Sequence, residues 1–195
     1  MPSPRLCRAT ILFTALASLF IAQPPTSGLA STAEKLVPAE TNPPGDIPDS
    51  QVFIDYISQD GFSVKVPESW ARMDRPDGTS FVDKLDGVVL TRSAAVQAPT
   101  VESVRKDYLQ AIQKESHAAI IDSVKAVKLP AGSVIRISYE TNSAPNEVTN
   151  KRVRLENQRF LFFKDGKLVT LELYAPFGAD NVDQWKLISE SFRWR

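Results

Sequence analysis

"KRVRLENQRFLFFKDGKLVTLELYA" (residues 151–175) is two apolar-rich runs, 151–164 and 167–175, joined at Asp165-Gly166. An Asp-Gly pair between such runs is the strongest short-range signal of a β-hairpin, because a two-residue turn needs φ > 0 and glycine takes it without a Cβ clash. The pairing it imposes is antiparallel. Within the first run Arg152 and Arg154 alternate with Val153 and Leu155, which predicts that the two arginines share the outward face of a strand.

Working outward, the same logic recurs. "VFIDYI" (52–57) leads through Ser58-Gln59-Asp60-Gly61 into "FSVKVP" (62–67), where Phe62, Val64 and Val66 alternate with Ser63 and Lys65. Pro67 ends that strand, and Trp70 follows. "TSFVDKL" (79–85) and "VVLTRSAAV" (88–96) read as a second hairpin turning at Asp86-Gly87. "IIDSVKAVKL" (120–129) and "SVIRISYET" (133–141) flank a turn at Pro130-Ala131-Gly132, and "NSAPNEVTN" (142–150) is a polar loop.

Two helices interrupt the strands. In "TVESVRKDYLQAIQKESH" (100–117), Val101, Val104, Tyr108, Leu109 and Ile112 fall near one face, Thr100 caps, and Glu102 sits in the first turn where the dipole favours it. The spacing of Asn181 and Gln184 predicts a capping box at the start of a closing helix. Val182, Trp185, Ile188 and Phe192 project from one side of that helix, as docking on a sheet requires. Short connections make the neighbours antiparallel, so the expected fold class is α+β, one antiparallel sheet flanked by two helices that cover one face.

The residues "GFSVKVPESW", the mid-chain helix, "FFKDGKLVTLEL" and the ending "SFRW" together resemble the PsbP superfamily over roughly residues 51–195. That group includes extrinsic photosystem II subunits, LpqN-like mycobacterial lipoproteins and a Ran-binding nuclear import factor. The resemblance implies an α/β/α sandwich around an antiparallel sheet, in domains that mostly bind or organise partners. Its motifs are structural, and no functional residue is carried over. The chain lacks the lipobox cysteine of the LpqN-like proteins.

The N-terminus points to export. Arg5 and Arg8 precede an apolar run from Ala9 to Ala22 that is short for a membrane span, which takes about 20 apolar residues. Small residues follow at Gly28-Leu29-Ala30 and Ser31-Thr32-Ala33, completing the pattern of a signal peptide over residues 1–30. The alternative is an uncleaved anchor, which would be the only route to a membrane. Residues 31–50 are rich in proline and read as an extended linker; residues 51–195 read as one domain. The single cysteine, Cys7, precedes the apolar run, so the mature chain has no disulfide and no thiolate chemistry. Cleavage leaves 21 basic against 23 acidic side chains, which gives no basis for nucleic-acid capture.

Catalytic chemistry finds little support. His117 is the only histidine and reads as a cation at the C-terminal end of the first helix. No nucleophile-elbow signature accompanies it, and one histidine without cysteine is a poor zinc set. Asp74, Asp77, Asp83 and Asp86 do not match a calcium loop and read as turn formers. No cofactor is indicated. The partner-binding candidates are Arg152, Arg154 and Arg159, whose guanidinium forks suit an anionic partner, and Trp70 if it stands exposed beside a groove. Against the arginines stands the reading of a solvated strand face with cross-strand partners such as Glu172. The leading expectation is an exported, non-catalytic binding or assembly module acting on another envelope or extracellular protein. The location would be periplasmic, cell-surface or secreted. The alternatives are an envelope hydrolase with a carboxylate-based site and a carrier of a small apolar ligand.

Overall fold

A computed structural model describes residues 34–195; the expected signal segment and the start of the linker lie outside the described residues. The hairpin that opens the domain forms as read: β1 (Phe53–Ser58) pairs with β2 (Phe62–Pro67), and Gly61 takes a φ of 87° in the turn. The deciding hairpin forms too. β8 (Arg154–Lys164) and β9 (Lys167–Pro176) place Lys164 opposite Lys167, and Asp165 and Gly166 both adopt positive φ, 49° and 77°.

Around that hairpin lie β3 (Ala71–Arg75), β4 (Gly78–Asp83), β5 (Asp86–Ala94), β6 (His117–Leu129) and β7 (Gly132–Asn142). They form a seven-stranded sheet in the order β3-β4-β5-β9-β8-β7-β6, every neighbouring pair antiparallel. β1, β2 and the two-residue β10 (Arg193–Trp194) make a second, smaller sheet. The first helical stretch begins as α1 (Val101–Ser103), passes through a π-helical turn at Val104–Tyr108 and continues as α2 (Leu109–Glu115). α3 (Val182–Ser191) closes the domain.

The strands alternate their side chains between two faces. On one face Leu90, Phe160, Phe162, Leu171 and Leu173 meet Phe62, Val64 and Val66 of β2 together with Trp185, Ile188 and Phe192. On the other, Ile135, Ile137, Tyr139 and Leu161 meet Val104 and Ile112. The two helices therefore lie on different faces, which corrects the expectation that both cover one. The run Phe160-Leu161-Phe162, buried throughout, is what a strand covered on both sides requires. The domain is mostly sheet, and α3 shares its covering layer with the small sheet.

Two local readings change, and the Thr100 cap gains a partner. The turn between β4 and β5 falls at Lys84, with a φ of 51°, so Asp86 and Gly87 belong to the strand and Asp86 is buried. Thr100 and Ser103 do form a reciprocal capping box, through Ser103 N–H to Thr100 Oγ1 at 3.1 Å and Thr100 N–H to Ser103 Oγ at 2.9 Å. Asn181 and Gln184 do not: Asn181 makes no side-chain cap bond.

Asn181 and Gln184 instead fasten the segment 34–50, which has neither helix nor strand. Asn181 Oδ1 accepts from Ile47 N at 2.7 Å, Asn181 Nδ2 donates to Gly45 O at 2.8 Å, and Gln184 Nε2 donates to Ile47 O at 3.0 Å. Ile47 is only 5% exposed and belongs to the main core. Asn181→Ala would leave a buried N–H and a carbonyl unpaired, costing about 2 kcal/mol. Urea unfolding checks this; an unchanged midpoint would show that water replaces the amide.

Candidate functional site: a groove beside the last helix

α3 covers only part of its sheet face. Towards the β6 edge a groove of about 430 Å³ runs between helix and sheet. Val127 and Leu129 of β6 and Phe160 of β8 give it an apolar floor, and Val182 and Trp185 an apolar wall. Arg136 of β7, Glu156 and Gln158 of β8, and Lys186, Ser189 and Glu190 of α3 supply polar groups. Strand periodicity selects these residues. Arg136 stands opposite Phe160 and Glu140 opposite Glu156, so the Arg136 and Glu156 positions are four residues apart along the ladder. At the usual strand rise that is about 14 Å.

The two ends differ in charge. Arg136 Nε is buried without a hydrogen-bond partner, and among the described residues Arg136 enters no ion pair. A buried donor left unmade is costly. At the other end, burial and then the nearby Glu140 hold the Glu156 carboxyl above its ordinary range, opposed by a hydrogen bond from the Gly178 backbone. Glu140 also raises Asp122, after burial.

The candidate residues read from sequence are dispersed. Arg154 Nε donates to Glu140 Oε2 at 2.6 Å, and its guanidinium lies 4.3 Å from the Phe177 ring centroid. Arg152 precedes β8; its Nη1 donates to Ser143 O at 2.9 Å and its Nε lies 3.4 Å from Glu34 Oε1. Arg159 projects to the opposite face, where Nη2 donates to Glu172 Oε2 at 2.7 Å beside Tyr108 and Tyr139. Tyr139 donates to the other Glu172 oxygen. Burial opposes the charge on Arg159, and Glu172 more than offsets it; burial and Glu172 push the Tyr139 hydroxyl up. Trp70 is half-buried against the main core.

His117 lies past the helix, at the start of β6, with Nδ1 3.1 Å from Glu34 Oε2; Ser116 is the helix C-cap. Asp74 bonds Arg72 and Thr79. No group of His, Cys, Asp and Glu able to hold a metal occurs among the described residues. Nor is any helix there long and apolar enough to cross a membrane.

Sequence reading missed Arg136, Glu156 and Gln158. The available signal was Arg136 itself, a cation between Ile135 and Ile137 in a strand whose neighbours are apolar on both faces. What makes it a site is the open side of α3, which no local pattern encodes.

No protein-family model matches the sequence, and comparison with curated proteins finds no match. Among solved structures, the chain is similar to cyanobacterial PsbP (CyanoP) from Synechocystis sp. PCC 6803, with a TM-score of 0.56 at 14% identity, over 77% of this chain and 98% of that one. The fold is PsbP-like. A weaker likeness, with a TM-score of 0.49 at 12% identity, is to a Bacteroides thetaiotaomicron protein, over 72% of this chain and 48% of that one. The PsbP-like fold is shared at an identity that speaks to architecture alone.

Proposed function

We propose that this chain is an exported, non-catalytic binding or assembly module of the cell envelope or extracellular space, and that the groove beside α3 is its binding face. The observation that carries the reading is Arg136, its Nε without a hydrogen-bond partner, set in a cleft with an apolar floor and wall. Concave, largely apolar sites with a few convergent polar groups are where proteins bind ligands. The signal-like N-terminus supports export, and the PsbP-like fold agrees with a binding module. Arg152, Arg154 and Arg159 are weaker contact candidates, since each already faces a carboxylate within the domain.

The groove also favours the reading of a small-ligand carrier, the open side of α3 being wide enough for a ligand-sized body. A hydrolase finds less support. The carboxyls held above their ordinary range, Asp86, Asp122 and Glu156, sit on β5, β6 and β8, and Asp86 is buried away from the groove.

The test is a photo-crosslinking residue placed at Lys186, on the groove, or at Lys106, on the helical stretch of the other face, in the cells that make the protein. A defined adduct at position 186, absent at 106 and lost on Arg136→Glu, is expected. Equal adducts at both positions, or none, would sink the binding-face assignment.

A further inference from the structure

We propose that the groove takes a singly charged amphipathic carboxylate, its apolar body on Val127, Leu129 and Phe160 and its carboxylate on Arg136. This rests on the groove being the binding face.

The unmatched donor selects for an anion. A guanidinium offers a planar fork that suits a carboxylate, and charge-assisted bonds of that kind are shorter and stronger than neutral ones. Arg136 lines the groove half-buried, its Nε makes no hydrogen bond within the protein, and it enters no ion pair among the described residues, so a carboxylate at its guanidinium pairs a cation that the free protein leaves unmatched. A neutral ligand of the same shape would bury the same apolar surface and leave that cation unpaired.

The flanking charges select for one negative charge. Glu156 and Glu190 line the same groove as Arg136 and Lys186. A dianion would meet two carboxylates for the two cations it gains; a monoanion seated on Arg136 stays at the far end from Glu156. Charge therefore fixes the orientation, head at Arg136 and body over Phe160, Val127 and Leu129, on the side away from Glu156. The volume of about 430 Å³ falls in the ligand-site range, roughly 300–1,000 Å³.

Decanoate, below its micelle concentration, is the probe. Titration of the full chain is followed by Trp185 fluorescence and by amide shifts, with decanol, decyl phosphate and decyltrimethylammonium as companions. Decanoate should saturate, with shifts confined to residues such as Leu129, Val182 and Lys186. Arg136→Gln should weaken it at least about tenfold, the size expected from losing a hydrogen bond to a charged group. Arg136→Lys, which keeps the charge and loses the fork, should fall between, and Lys128→Gln, on β6 outside the groove, should change nothing. Melting curves show that each variant is folded; if Arg136→Gln is not, Arg136→Lys decides, and unchanged affinity there overturns the proposal. So do unchanged binding by folded Arg136→Gln, equal binding of decanol, tighter binding of decyl phosphate, or no saturable binding of decanoate. If decanoate fails while the adduct at position 186 is seen, the carboxylate inference falls and the binding face stands.

Discussion

A chain ending at Asp180 is expected to lose its cooperative unfolding transition. The last helix is part of the main core: Trp185 is nearly buried, and Ile188 and Phe192 are wholly so. The Phe192 ring stacks on Phe162 with centroids 3.9 Å apart and on Phe62 at 5.3 Å. Beyond it the chain adds a strand to β2, with Trp194 opposite Phe62, and Arg195 N–H donates to Gly61 O at 2.8 Å. Ser191 Oγ accepts from Lys65 N at 2.8 Å. Removing one large buried side chain costs about 2–5 kcal/mol, and three together are of order 10 kcal/mol. That rivals the whole margin of a typical domain, about 5–15 kcal/mol. Asn181 and Gln184 leave as well, so Ile47 and the 34–50 segment lose their anchors. Urea unfolding followed by far-UV circular dichroism, with amide shift dispersion, checks this. A sigmoidal transition in the truncated chain would show that α3 is an accessory. Phe192→Ala isolates the aromatic stack and should cost about 3–5 kcal/mol.

How much of this was legible follows from where the information lies. Hairpins announce themselves locally, because alternation and turn chemistry are short-range; hence β1–β2 and β8–β9 were readable from "GFSVKV" and "FFKDGKLV". β3 was not. All five of its residues are exposed at a sheet edge, so no buried face imposes a period on Ala71–Arg75. β10 was not, because two residues carry no period at all. The inward stripe of α3 was visible in Trp185, Ile188 and Phe192, although Val182, in its first turn, is exposed; which sheet face the stripe covers depends on pairing β5 with β9, across most of the domain. The caps show the limit most clearly. Asn181 and Gln184 have capping-box spacing, yet the loop 45–47 competes for the same amides and wins. The groove is legible only after that, as the part of the sheet α3 leaves open.

Asp86→Asn is expected to stabilise the protein above neutral pH and to have little effect near pH 4. Asp86 is 6% exposed, and its Oδ1 has no hydrogen-bond partner. Gly45, with a φ of 112°, lies so close that a Cβ there would stand 2.9 Å and 3.0 Å from the two carboxylate oxygens. Burial, then Asp83 and Asp46, push the Asp86 carboxyl up to about 7, against a small opposing pull from Lys84. Tyr174 faces the same carboxylate and is itself raised, by burial and then by Glu172 and Asp86. A folded pKa above the unfolded one means that the native state holds the extra proton between the two values. Stability from this group is therefore highest below the unfolded value, falls as pH rises from about 4 to about 7, and stays low above that. Asparagine removes the titration, so the gap between variant and wild type should open across that window. Screening at the solvent edge, where Asp83, Asp46 and Lys84 sit, reduces the gap to on the order of 2 kcal/mol. Glu156 and Asp122 are raised and share the sign, whereas Glu34, held down first by its bond from Asn142, and Asp74, held down first by Arg72, have the opposite one. Only the difference between variant and wild type therefore reads Asp86. The ionised form repels Asp46, which holds Asp180 N–H at 2.8 Å, so amide exchange at Ile47 and Asp180 should quicken above neutral pH in the wild type and not in the variant. Parallel stability curves for the two proteins from pH 4 to pH 8 would show that Asp86 is ionised in the fold throughout.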